Sequence, residues 1–143
     1  MKFNSIFILL FFLPLFSFGQ PNTKTTVDST KCYSHFDTLA NRQIYILVDS
    51  MPKFPGGNKA MLDFISKNIK YHHGDCFTGT VFVSFIVESN GQLTNKKIKK
   101  GITKYADNEA LELIDKMPNW IAGTCNGELV PVEMIIPIRF MLR

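Results

Sequence analysis

Thr80-Val-Phe-Val-Ser-Phe-Ile-Val-Glu-Ser-Asn-Gly-Gln-Leu-Thr-Asn-Lys-Lys-Ile-Lys-Lys100 is the stretch from which the fold is read. Residues 80–88 are almost all β-branched or aromatic and contain neither Pro nor Lys, which suits a strand with neighbours on both sides. Val81, Val83, Phe85 and Val87 project to one face, and that face should receive helices. Asn90-Gly91 supplies the two positive φ values of a tight hairpin turn, and 93–100 is the returning strand. Lys96, Lys97, Lys99 and Lys100 put charge on both faces of that strand. Such lysines discourage further strands from docking and mark a sheet edge.

Upstream, Ile44-Tyr-Ile-Leu-Val48 is a short β-prone run, ended by Pro52, Pro55, Gly56 and Gly57. Asn58 is the expected cap of a helix running to about Ile69, with Met61, Leu62, Ile65 and Ile69 at helical spacing. A polar loop follows over 71–78. Downstream, Asp107 is the expected cap of a helix over 108–116, with Ala110, Leu113, Ile114 and Met117 in one stripe and Pro118 as its stop. A short extended piece around Trp120, an Asn126-Gly127 turn and a strand over about 130–142 complete the chain. The order strand, helix, hairpin, helix, strand predicts an α+β two-layer sandwich, two helices packed on a small antiparallel sheet.

Pro131 and Pro137 locate the last strand. Neither can donate to a ladder, and positions an even number apart turn their nitrogens to the same side. The expected sheet order is therefore 93–100, 80–88, 130–142, with the last strand as a second edge facing solvent. That edge offers the amides of Glu133 and Ile135 and the neighbouring carbonyls. Glu133, Ile135, Ile136, Ile138 and Phe140 form the expected protein-binding edge, where an extended peptide adds by β-augmentation. A plainer alternative is that the prolines only blunt the edge against aggregation, and the residues by themselves leave both open.

The chain has 143 residues, room for one domain. In residues 1–19, Lys2 precedes an apolar run from Ile6 to Phe18, broken by Pro14, with the small Ser17 and Gly19 three and one residues before Gln20. This predicts a cleavable secretory signal. The competing reading is an uncleaved membrane anchor, which needs about 20 apolar residues without a helix breaker. Residues 20–43 read as a flexible N-terminal segment and 44–143 as the folded domain. Removing residues 1–19 takes the charge from +4 to +3, too mild to imply nucleic acid. Cys32, Cys76 and Cys125 allow one disulfide in an oxidising compartment, chosen from three pairings. Cys76–Cys125 is the least favoured, because the expected topology puts those two at opposite ends of the sheet.

No paired carboxylates, phosphate-cradling loop or nucleophile motif appears, so no catalytic activity and no cofactor is expected. His72, His73, Asp75 and Cys76 have the residue types of a zinc or copper site, yet adjacent histidines diverge on most backbones and a polar loop is the simpler reading. Phe54 with Pro55-Gly56-Gly57 either shapes a groove or, more simply, positions a strand and starts a helix. Trp120 reads as a half-buried packing anchor. Residues 96–104 either meet an acidic partner or the membrane surface or, more simply, form a solvated edge.

Taken in order, Asp49-Ser-Met-Pro-Lys-Phe-Pro-Gly-Gly57, Asn68-Ile-Lys-Tyr71, Gly79-Thr-Val-Phe-Val-Ser-Phe-Ile-Val-Glu-Ser-Asn-Gly91, Glu109-Ala-Leu111, Met117-Pro-Asn-Trp120, Asn126-Gly127 and Ile136-Pro-Ile-Arg-Phe140 resemble the C-terminal domain of TonB energy transducers, in the form typical of Bacteroidetes-type bacteria. The resemblance covers about residues 44–143. It implies a periplasmic domain that grips the Ton box of an outer-membrane receptor, or another periplasmic segment, by strand addition at its last strand. Three features depart from that pattern. About 25 residues, not Pro-rich, separate the leader from Ile44. His72 stands where members often have Pro, and Ala122 stands where Trp-x-Pro-Gly is usual. The alternatives are an anchored transducer, touching the inner membrane through an uncleaved leader, and a periplasmic metal or redox protein using the loop 72–76. A homodimer is also open.

Overall fold

The computed structural model describes residues 32–38, 40–71 and 77–141. The predicted signal over 1–19 and the His72, His73, Asp75 and Cys76 cluster lie outside the described residues. Nine elements follow in order: β1 (Tyr33–Asp37), β2 (Arg42–Leu47), α1 (Gly57–Asn68), β3 (Gly79–Val87), β4 (Leu93–Lys100), α2 (Lys104–Asp115), β5 (Gly123–Cys125), β6 (Glu128–Val130) and β7 (Val132–Phe140). Five strands form one sheet in the order β1-β2-β7-β3-β4, and β5 pairs with β6 in a separate two-stranded ribbon. No helix among the described residues is long and apolar enough to cross a membrane.

The centre of the sheet is as the residue types dictate. β3 pairs antiparallel with β4 on one side and with β7 on the other, the latter over nine consecutive pairs from Gly79↔Phe140 to Val87↔Val132. Val81, Val83, Phe85 and Val87 are fully buried, and so are Ala106, Ala110 and Leu113 of α2, with Ile114 nearly so. These residues join Ile136, Ile138 and Phe140 of β7, Ile65 of α1 and Phe54, Met117 and Trp120 in one core cluster.

Both helix starts differ from expectation. α1 begins after Gly56, which sits at φ 81 with no side-chain cap, and Asn58 lies inside the helix. α2 begins at Thr103, whose hydroxyl accepts from the Ala106 amide at 3.1 Å. Asp107 instead accepts from the Ile102 amide at 3.0 Å, closing the turn that enters the helix. The hairpin turn also differs. Only Gly91 has positive φ there, and the Gly91 N–H donates to the Glu88 carbonyl at 2.8 Å, so a three-residue loop closes with a glycine bulge. A Cβ on Gly91 would stand 2.1 Å from the Trp120 carbonyl oxygen. Asn126-Gly127 does carry two positive φ values, 51 and 82, and joins β5 to β6.

The sheet is not purely antiparallel. Part of the segment expected to be flexible, 20–43, forms β1 and the start of β2, which pair with each other over Tyr33–Leu47. β2 then lies parallel to β7 through one pair, Tyr45↔Val132, and the Tyr45 N–H donates to the Pro131 carbonyl at 2.9 Å. A disulfide joins Cys32 to Cys125, fixing the start of β1 to the β5–β6 ribbon. Val48, Cys125, Val130 and Val132 form a second small core beneath this crossing.

Candidate peptide-binding edge

Backbone parity along β7 determines which groups remain available. Pro137 opposes Phe82 of β3 and has no N–H to give, so β3 is bonded through the even positions, 132 to 140. The odd positions, from Pro131 to Arg139, turn their backbone groups to the opposite margin. The prolines therefore stand as their spacing predicts, with both nitrogens turned from β3.

The expectation that this margin is free along its whole length is corrected. Proline lacks a donor but keeps an acceptor, and the Pro131 carbonyl is taken by Tyr45. Parallel pairing at Val132 uses the backbone groups of the residues on either side of it, so Glu133 faces β2 as well. Beyond Glu133 no strand among the described residues pairs with the margin. β2 leaves it there, and its continuation crosses to the ribbon through bridges Ser50↔Thr124 and Lys53↔Ile121. The open stretch runs over 134–140, about 20 Å at strand rise.

The five residues expected at the edge fall into three groups. The Ile135 side chain is 53% exposed, on the face away from the helices, and its backbone belongs to the open stretch. Glu133 lies under the end of β2, and its carboxylate meets Lys99 Nζ at 3.2 Å. Ile136, Ile138 and Phe140 are core residues whose backbones face β3. Their inclusion followed the apolar run rather than its alternation.

Beside the open stretch lies a groove of about 360 Å³, lined by Leu62, Ile65, Ser66 and Ile69 of α1 with Tyr71, Pro137, Arg139 and Met141. Leu62 was expected in the buried stripe of α1, yet it is 61% exposed, and Met141 is exposed with it. An apolar stripe wider than its helix can bury was the available sequence signal for this groove.

The covered half of the margin is held by polar groups as well. Arg42 at the start of β2 reaches Glu88 with two bonds, Nη1 to Oε2 at 2.6 Å and Nη2 to Oε1 at 2.7 Å, and the Thr94 hydroxyl also donates to Glu88. Hydrogen bonds from Arg42 first, with Thr94 adding to them, hold the Glu88 carboxyl below the usual carboxylate range against its partial burial. The same pairing raises Arg42. On the ribbon, the Asn126 N–H donates to Asp49 at 2.6 Å. Asp49 lies within 4.8 Å of the Cys32 and Cys125 sulfurs, whose metal-binding capacity is spent in the disulfide.

The other candidates have structural roles here. Phe54 and Trp120 are buried, with ring centroids 5.8 Å apart in an edge-on contact, and Phe85 meets Trp120 at 5.3 Å. Phe54 and Pro55 also border a shallow hollow between α1 and Pro118. Lys96 pairs with Asp115, while Lys97 and Lys100 are exposed.

No curated protein and no solved structure matches this chain. Residues 77–142, which contain β3 to β7 together with α2, match the family described as Gram-negative bacterial TonB protein C-terminal. The match leaves β1, β2 and α1 outside it, and through that segment the chain is similar to the TonB C-terminal domain family.

Proposed function

We propose that this protein is an exported periplasmic module that takes an extended segment of an outer-membrane receptor as an added strand on β7. The match to the TonB C-terminal family supports reading the domain as a non-enzymatic interaction module of TonB-dependent transport. One observation carries the finer reading. β2 leaves the β7 margin after Val132, so a seven-residue stretch of backbone lies open beside an apolar groove. Two donors, Ile135 and Arg139, and three acceptors, the carbonyls of 135, 137 and 139, face outward along it.

Backbone bonds contribute about 1 kcal/mol each after exchange with water, so five give roughly 5 kcal/mol. Micromolar binding needs about 8 kcal/mol net of ordering costs. The backbone alone falls short, and side chains in the groove must supply the rest. Burying one large apolar side chain adds about 1.5–3 kcal/mol.

Titrating the labelled protein with a receptor Ton-box peptide tests the reading by amide NMR. The expected result is slowed hydrogen exchange at Ile135 and Arg139 with shifts confined to β7 and α1. Absence of binding at high micromolar peptide refutes it. N-terminal sequencing of the protein from its native cells tests export: Gln20 as first residue supports it, and Met1 supports the anchored transducer.

A further inference from the structure

Resting on the strand-addition reading, we infer that the segment this margin accepts alternates large apolar with acidic side chains. An added strand presents its side chains alternately to the two faces of the sheet. On the helix side, they meet the groove under α1, whose lining of Leu62, Ile65, Ile69, Tyr71 and Met141 rewards apolar groups and offers no buried charge. On the other side they emerge beside Ile135, Pro137 and Arg139, which are exposed.

Arg139 sets the sign on that second face. It lines the rim of the groove, and among the described residues no carboxylate pairs with it. The same face carries Lys97 opposite Ser84 and Lys100 opposite Phe82. Those lysines lie three strand spacings from a guest, about 14 Å. That exceeds the Debye length of about 8 Å at physiological salt. They act only at low salt, and Arg139 acts at both. Glu133 does not oppose an acidic guest, since Lys99 neutralises it and β2 covers its end of the margin.

Three capped seven-residue peptides test this against the whole protein: Ile alternating with Glu, with Ser and with Lys. In 50 mM salt the Glu peptide is expected to bind about tenfold more tightly than the Lys peptide, with the Ser peptide between them. In 0.5 M salt the ratio should fall to about threefold, as screening removes the lysines first. Arg139→Gln should bring the Glu and Lys peptides within about twofold of each other at 0.5 M salt, and leave the Ser peptide unchanged. Leu62→Glu, at an exposed position that the fold tolerates, should weaken all three at least fivefold. If all three peptides bind alike and Arg139→Gln changes nothing, alternation is refuted while strand addition stands. If none binds, strand addition itself fails and the inference with it.

Discussion

Breaking the Cys32–Cys125 disulfide is the most informative perturbation of this fold. The bond joins residues 93 apart in sequence and closes a loop containing α1, α2 and every strand of the central sheet except β7. The chain-entropy relation gives a loop of that length about 4–5 kcal/mol, against 2–4 kcal/mol for a typical native disulfide. A single domain has about 5–15 kcal/mol in total. The loss is therefore about a quarter or more of the whole. It should fall first on β1 and β2, because the hairpin joins the sheet through one parallel pair and exposes Tyr33, Phe36, Ile46 and Leu47. Guanidinium unfolding of Cys32→Ser, and of the wild type with and without dithiothreitol, measures the effect. Reduced wild type and the variant should unfold at the same lowered midpoint, with amide exchange accelerated in 42–47 and at Glu133 before the rest of β7. The unreduced, unfolded protein should titrate one thiol of three. A loss below about 1 kcal/mol, or three titratable thiols without reductant, refutes the reasoning.

Glu88→Gln should cost about 1 kcal/mol at pH 7, since the Arg42 side chain is 39% exposed and solvent screens the pair. The folded Glu88 carboxyl titrates below its ordinary value of 4.5, so its stabilisation is present above that pH and is lost as pH falls through the folded value. The variant's stability, followed by urea unfolding from pH 7 to 3, should therefore decline less steeply below 4.5 than the wild type's. Gly91→Ala should cost more than about 2 kcal/mol, because φ 84 is strained for alanine and its Cβ would strike the Trp120 carbonyl; thermal unfolding reads this directly. Pro137→Thr restores a donor to the open margin at an exposed position. Stability should change by less than about 1 kcal/mol, while sedimentation velocity shows self-association that the wild type lacks.

The centre of the sheet was legible because its residues admit few alternatives. A nine-residue strand with no Pro and no Lys, buried on both faces, must be interior, and the lysine-bearing β4 must be an edge. Parity of Pro131 and Pro137 correctly oriented β7. What parity could not show was the neighbour of β7, since a proline that refuses to donate still accepts, and Tyr45 uses that carbonyl. β1 was hidden for a different reason. Tyr-Ser-His-Phe-Asp is too short and too polar to announce a strand, and it is held by a disulfide whose pairing only the tertiary fold determines. At the site, the apolar run 135–140 drew attention to Ile136, Ile138 and Phe140, which serve the core. Leu62 reads only as part of a helical stripe and Arg139 has no site role in the sequence, because their significance lies in a groove between elements distant in sequence.

A sheet margin open to a guest strand also invites its own kind, and on the proposed strand addition β7 meets both demands by division. Over 131–133 the hairpin covers it, clamped by the disulfide and by Arg42 on Glu88. Over 134–140 Pro137 removes one donor and Arg139 adds a charge, so two copies pairing margin to margin would bring like charges together. The remaining backbone bonds give too little free energy to hold any chance segment. A guest stays only if its side chains also fill the groove beneath α1, and the rim charge admits an acidic neighbour to those side chains. On the proposed strand addition, selectivity at this margin would therefore reside in α1 and Arg139, while the β7 backbone would supply only direction and register. Exchanging Leu62 and Arg139 should change which peptides bind without moving where on β7 they sit, which amide exchange at Ile135 reports independently of affinity.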